Sequence, residues 1–449
     1  MFARTAVPGA PRHTLLRRTM SIGAGLALAG IALAGCSAGG GGGDGSVEIS
    51  YLVANDPTGV ESAERVLAAF EEKYPDISVT LQTQPAGTEG DNLTKTKLAT
   101  GEMEDVFVYN TGSLFQALNP DQTLVDLSDQ SWIGNVTDDF LTTVKTDSGT
   151  YGAPIGASFG GGVLYNIPVY EELGLQVPTT WDEFMANSET IKQKLPDVAP
   201  VLQAYGETWT SQLFVLASYA DIAAEQPDWA EQFTANKVKF ADEPGIIGFQ
   251  YQQDVFDAGL LNEDFPSLTH DQALRMLAEG DAAQYPMLTN AAGAIAQNTP
   301  DRLNDVGFFA LPAPEADNTA ATIWQPAGLF IPKSTEGDEL EAAKTLVDFI
   351  AASPEACEIS QSTGTPTGPY VIDTCPLEGE VPQMVKDVQT YFDSGRTSPA
   401  LEFLSPVKGP NLENIAIEVG SGITSAADGA AAYDIDVEKQ AQQLGLDGW

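Results

Sequence analysis

Residues 47–81 read VEISYLVANDPTGVESAERVLAAFEEKYPDISVTL, and they decide the fold. Val47, Ile49, Tyr51 and Val53 alternate with polar or small neighbours, which predicts a strand. A polar turn from Ala54 to Gly59 follows. Then Ala63, Val66, Leu67, Phe70 and Tyr74 fall on one stripe of an amphipathic helix. Pro75 ends that helix, and Ile77, Val79 and Leu81 alternate again. Strand, helix and strand make a βαβ crossover, so the fold class is α/β and opens on parallel strands. A helix near 91–99 and an apolar strand at 105–109 (DVFVY) repeat the pattern.

Downstream, residues 150–166 (TYGAPIGASFGGGVLYN) read as a strand, a flexible glycine-rich crossing and another strand. Thr180-Trp181-Asp182-Glu183 has the form of a capping box and opens a helix running to about Leu195. Helical stripes are predicted at 211–223, 245–258, 270–279 and 338–352, and at the C-terminus near 381–394, 411–427 and 434–444. Buried strands are predicted at 306–311 and 328–331. Pro312 and Pro314 break the chain between them, and Trp324-Gln325-Pro326 marks a second crossing. Residues 353–380 read as loop. No internal repeat is present.

Upstream lies a leader of a different kind. Residues 1–19 are polar and basic, 20–35 (MSIGAGLALAGIALAG) are apolar and small, and Cys36 follows. That apolar run is short for a membrane span and suits a secretion signal. Leu33-Ala34-Gly35-Cys36 resembles the bacterial lipobox, which implies cleavage before Cys36 and a lipid on its thiol. The alternative is an ordinary signal peptide with Cys36 left as an odd thiol. Arg17-Arg18 opens a twin-arginine route, but Thr19-Met20-Ser21 fits that consensus poorly. Ser37–Ser46 (SAGGGGGDGS) is a glycine tether with a span of about 17–19 Å. The expected location is the outer face of the bacterial cell membrane. In that oxidising setting Cys357 and Cys375 favour a disulfide over a metal site, with two buried thiols as the alternative.

The 449 residues carry 21 Lys+Arg against 63 Asp+Glu, a net charge of −42. Four of those arginines (Arg4, Arg12, Arg17, Arg18) lie in the leader, so the body is more acidic still. A phosphate backbone needs clustered cations, so nucleic acid is excluded as a partner. At about 100–200 residues per domain the length predicts two lobes or more, three at most, and the 43% of hydrophobic residues supplies material for their cores.

Most catalytic chemistry is missing. No phosphate-binding P-loop occurs, and Gly156 to Gly162 lacks the placement of a dinucleotide fingerprint. Only His270 remains after the leader, which excludes multi-His zinc sites; it reads as an exposed first-turn residue of a helix. Asn119-Pro120-Asp121 starts like a calcium loop but lacks its glycine. No cofactor, metal or catalytic residue is expected. Among 63 acids a glycosidase pair is not excluded, though no pair stands out.

Other residues suit binding. A neutral polyhydroxylated ligand wants flat aromatic faces for its C–H groups and side chains that donate and accept for its hydroxyls. In open α/β sheets such groups collect at the carboxyl ends of strands. Candidates there are Asn55 and Asp56 after the first strand and Asn110 and Thr111 after the third. Trp209, Tyr285, Asn290, Trp324 and Gln325 join them. Trp181 and Trp229 read as helix packing, while Trp132 and Trp449 are undecided.

With these segments in view, the chain resembles the extracellular solute-binding proteins of bacterial ABC importers, in the carbohydrate group that includes maltodextrin-binding proteins. The carriers are AAFEEKYPDISV, KTKLATGEMEDVFVYNTG, EGDAAQYPM, DVGFFALPAP and AGLFIPK. The most specific block is YGAPIGASFGGGVLYNIPVYEELGLQVPTTWDEF, residues 151–184. The resemblance implies a two-lobe Venus-flytrap fold, with lobe one at 47–157 plus 327–380 and lobe two at 158–326 plus 381–449. It implies a monomer, tethered by lipid, that takes a neutral mono- or oligosaccharide between its lobes and passes it to an ABC transporter permease. Asn55, Asp56, Asn110 and Thr111 match loops that hold sugar hydroxyls in that family, Trp209 an aromatic platform, and Trp324 and Gln325 the cleft crossing. The loop after the third strand lacks the Asp-Arg pair of the maltodextrin group, and Asn290 stands where that group has Trp. Both departures argue against a long glucan. Arg396, with Glu402 beside it, is the residue that would admit an anionic solute; otherwise the two read as a surface ion pair.

Overall fold

The computed structural model describes residues 46–449 apart from Asp56, Ala86, Glu378 and Asp447. The leader, the tether and Cys36 lie outside the described residues, and so does Asp56. Among the described residues ten strands form two sheets. They are β1 (Val47–Ala54), β2 (Ile77–Gln84), β3 (Val106–Tyr109), β4 (Gly152–Ile155) and β5 (Phe159–Asn166), then β6 (Gln284–Leu288), β7 (Val306–Phe309), β8 (Ala321–Trp324), β9 (Ala327–Phe330) and β10 (Thr397–Pro399). The first sheet runs β2-β1-β3-β9-β4; the second runs β10-β8-β5-β6, with β7 also on β5.

The opening βαβ unit stands as the periodicity predicts. β1 and β2 pair in parallel from Val47 opposite Ile77 to Ala54 opposite Gln84. The helix Pro57–Lys73 crosses between them and buries Val66, Leu67 and Phe70. β3 adds to β1 in parallel, β9 joins β3 antiparallel, and β4 joins β9 antiparallel at the edge. The core of this sheet draws on 49–155 and 329–375. The cores around the second sheet draw on 163–324 and 384–441. The chain passes from one sheet to the other at 156–158 and returns at Gln325-Pro326. Among the described residues no helix is long and apolar enough to cross a membrane.

Several boundaries differ from the expectation. Residues 353–380 are not all loop: Pro354–Thr363 is a helix, with Ser353 accepting from the Ala356 N–H and proline in its first turn. Cys357 on that helix and Cys375 form a disulfide. The helix expected over 411–427 ends at Gly420, and the last helix starts at Ala426 rather than 434. The break has a local cause: Gly422 takes φ +67°, and Ser425 caps the next helix by accepting from the Asp428 N–H. β6 and β8, buried at every position, show no alternation in the sequence, and β10 with three residues is too short to show one.

The glycine run 160–162 is strand, not flexible crossing; only 156–158 crosses. Its glycines make room for rings and backbone on both faces. A Cβ on Gly161 would stand 2.2 Å from the Trp324 ring, and one on Gly162 2.4 Å from the Phe309 carbonyl oxygen.

Trp181 stacks on Tyr251 at 3.8 Å between centroids and opens a helix whose capping box, Thr180 with Glu183, is formed. Trp229 and Trp132 are core, and the Trp449 Nε1–H donates to the Thr234 carbonyl at 2.8 Å.

Asp221 is the costly residue of this core. It sits on the helix Tyr219–Glu225, 3% exposed, and neither carboxyl oxygen makes a hydrogen bond of normal geometry. Burial pushes its pKa well above the ordinary 3.8, and the nearby Ala320 amide offsets that only in part. The fold therefore prefers the protonated acid. The stability this lends is complete in strong acid and is lost as pH rises through 3.8 towards the folded value. Asp221→Asn should accordingly stabilise the protein by about 1–3 kcal/mol at pH 7, with the gain shrinking towards pH 3. Urea unfolding at both pH values checks this; an equal gain at both would mean charge is not the cause.

Candidate functional site

The two crossings bring the end of β3, the start of β5 and the end of β8 to one place, and the short helix Leu401–Leu404 closes it from the side of the second sheet. A cavity of about 80 Å³ lies there, lined by Asn110, Thr111, Phe159, Trp324, Gln325 and Glu402 among others. A second, of about 250 Å³, continues from it through Ser113, Glu402 and Phe403 to Gln116, Thr142 and Thr143. The walls meet closely: a Cβ on Gly112 would stand 2.6 Å from the Glu402 carbonyl oxygen and 2.7 Å from the Phe403 ring.

Trp324 is held from three sides. Its ring lies over Gly161 and runs parallel to Phe159, at 8° and 6.4 Å between centroids. Its Nε1–H donates to Glu402 Oε1 at 2.6 Å, while the Lys408 ammonium donates to Glu402 Oε2 at 2.6 Å. The carboxylate is thus engaged on both oxygens, and the indole plane is fixed. Beside it the Thr111 hydroxyl donates to the Pro326 carbonyl at 3.3 Å, tying the β3 end to the second crossing. Gln325 is buried, and its side-chain carbonyl oxygen has no hydrogen-bond partner among the described residues. A buried amide acceptor left open costs about 1–3 kcal/mol, which a hydroxyl-bearing ligand would recover. An aromatic plane, hydroxyls of Thr111, Ser113 and Thr142, and an open acceptor together suit a neutral polar ligand with apolar faces.

Of the residues predicted from the sequence, the structure gathers Asn110, Thr111, Trp324 and Gln325. It does not gather the rest. Asn55 is exposed, with its backbone N–H on the Gln84 carbonyl, and lines neither cavity. Tyr285 is fully buried in the core of the second sheet, which removes it from the candidates; it lies inside β6, where every residue is buried. Asn290 is exposed on the turn Thr289–Ala291, away from both cavities. Trp209 packs edge-on against His270 at 4.9 Å, with Nε1–H to Glu207 Oε2 at 3.3 Å, and lines neither cavity.

His270 is not the exposed residue expected. It is half-buried, with Nδ1 3.3 Å from the Tyr285 hydroxyl, and burial lowers its pKa. Arg396 does not pair with Glu402: its guanidinium donates to the Ala316 carbonyl, and Glu402 takes Lys408 instead. Phe159, Phe403, Gln116, Thr142 and Thr143 were missed. Only Phe159 had a signal, its place directly after the first crossing; the others reach the site through tertiary contacts.

The family model described as bacterial extracellular solute-binding protein matches residues 55–356. The multiple sugar-binding protein of Streptococcus mutans is 26% identical over 266 residues, 57% of this chain and 60% of that protein. The melibiose/raffinose/stachyose-binding protein MelE of Bacillus subtilis is 23% identical over 322 residues, 69% and 71% of the two chains. Among solved structures, a chitin oligosaccharide binding protein superposes with a TM-score of 0.76 at 21% identity, over 89% of this chain and all of its own. That likeness carries the fold, two α/β lobes about a cleft. The relatives so named are binding proteins, not enzymes. With most of its described length matched by the family model, the chain belongs to the bacterial extracellular solute-binding proteins.

Proposed function

We propose that this protein captures a neutral sugar or short oligosaccharide between two lobes, 47–157 plus 327–380 and 158–326 plus 381–449, and delivers it to the permease of an ABC importer. In this reading Cys36 carries the lipid that holds it at the outer face of the membrane. The observation that carries the sugar reading is the pairing of the fixed Trp324 plane with the open Gln325 acceptor, at the seam between the sheets. The sugars in the names of two relatives support it. A ligand touching both walls favours the closed form, because the open form offers only one of them. A glycosidase reading gains nothing here. Two carboxyl groups are required, and Glu402 is the one acid lining these cavities among the described residues.

A thermal-melt screen of the body from Ser37 tests the proposal, with mono- and oligosaccharides against amino acids, peptides and polyamines. A ligand at about 100 times its dissociation constant adds roughly 2.7 kcal/mol to the native state. One sugar class should raise the melting temperature by several degrees, with no sugar consumed. A rise with a control solute alone, or breakdown of the sugar, would overturn the reading.

A further inference from the structure

A separate cavity of about 300 Å³ lies on one face of the first sheet, between it and the helices Pro57–Lys73 and Pro354–Thr363. Its sheet wall is Val53, Val108, Ile155 and Ala327; pairing places these residues on one face, with Val108 beside Leu329 and Ile155 beside Ala327. Ala63 and Val66 face it from the first helix, and the Cys357–Cys375 disulfide completes the wall. The lining is largely apolar. Four hydroxyl-bearing residues line it, Tyr51, Ser62, Ser360 and Tyr370, and of these Tyr51 is the buried one, 1% exposed. Burial raises the phenol's pKa, so it stays a neutral donor. A phenol hydroxyl in the wall of a largely apolar cavity is placed to donate to a ligand held there.

The cavity adjoins the cleft at the end of the sheet. Ala327 lines both spaces. On β3 and its loop, Val108 lines the apolar one and Asn110 the polar one, so the two walls are about 7 Å apart along the chain.

We propose that this cavity is an aglycone subsite: the ligand is a glycoside whose sugar lies by Trp324 and Gln325 and whose apolar group passes Ala327 and accepts a hydrogen bond from the Tyr51 hydroxyl. This rests on the sugar reading above. An aryl group carrying one acceptor fits the lining. An ionic group does not, because no charged side chain is among the lining residues and most of the wall is apolar.

The test is titration calorimetry with the sugar that shifts the melt, its 4-nitrophenyl glycoside and 4-nitrophenol alone. The proteins are the unaltered body, Tyr51→Phe and Ala63→Leu. The nitrophenyl glycoside should bind about 10–100-fold tighter than the plain sugar, the gain from burying one aromatic ring. Tyr51→Phe, which removes one oxygen and keeps the ring, should reduce that gain about fivefold. Ala63→Leu, which fills the cavity, should abolish it. Neither should change the affinity for the plain sugar. Equal affinity of sugar and glycoside for the unaltered protein would overturn the aglycone subsite and leave the sugar reading intact, as would a gain that Tyr51→Phe leaves undiminished. Absence of binding by both sugar and glycoside would remove the sugar reading and this one with it.

Discussion

Trp324→Ala is expected to weaken sugar binding by about 100-fold and to cost about 3–5 kcal/mol of stability. Both effects follow from the position of one ring. At 7% exposure the indole belongs to the core around the second sheet, so its removal leaves a large cavity. In the proposed reading it is also the flat surface that the sugar meets, lining the cavity and held by Glu402 and by contact with Gly161. Two companion variants separate these roles. Trp324→Phe keeps an aromatic face and loses the bond to Glu402, and should retain most of the stability with part of the affinity. Gly161→Ala leaves Trp324 in place but drives a methyl into its ring at 2.2 Å, so the plane must shift. Overpacking of this kind costs about 1–3 kcal/mol. Calorimetry and urea unfolding measure the two effects independently. Full affinity in a destabilised Trp324→Ala protein would make the ring a packing residue only and would remove the sugar platform.

The paired change Cys357→Ala with Cys375→Ala should lower stability by about 3 kcal/mol. The bridge closes a loop across a sequence separation of 18, and the chain-entropy cost of releasing a loop that size is close to that figure. The loop runs from the helix Pro354–Thr363 to the segment carrying Tyr370 and Ile372, which lies against the first crossing: Ser158 N–H donates to the Pro369 carbonyl at 2.8 Å. Loosening it should leave the affinity for a plain sugar within about twofold, because neither cysteine lines the Trp324 cavities. Denaturant unfolding with and without reductant gives the measurement. If reduction leaves the unaltered protein's midpoint unchanged, the bridge contributes no stability.

How far the residues alone reach is clearest from individual elements. The βαβ opening was legible because β2, the helix and the first half of β1 each have a polar face, so period 2 and period 3.6 show directly. The capping box at Thr180 was legible because its two partners are three residues apart. β6 was not: Gln284 to Leu288 is buried on both faces, which leaves no alternation to read. That concealment also made Tyr285 look like a ligand residue. The helix Pro354–Thr363 had its signal in Ser353-Pro354, passed over inside a stretch of glycines and prolines.

The sequence by itself determined the α/β class, the family and the charge that excludes nucleic acid, because these rest on periodicity, local motifs and composition. It also singled out Asn110, Thr111, Trp324 and Gln325, since carboxyl ends of strands and crossings are local features of an α/β chain. Only the tertiary structure decided the rest. Glu402, Phe403, Thr142 and Thr143 come from segments far apart in sequence and meet only where the two sheets face each other. The same holds for the glycines of β5, read as flexibility until Trp324 and Phe309 are seen against them. Contacts between distant segments leave no period and no motif in the chain, and binding is made of such contacts.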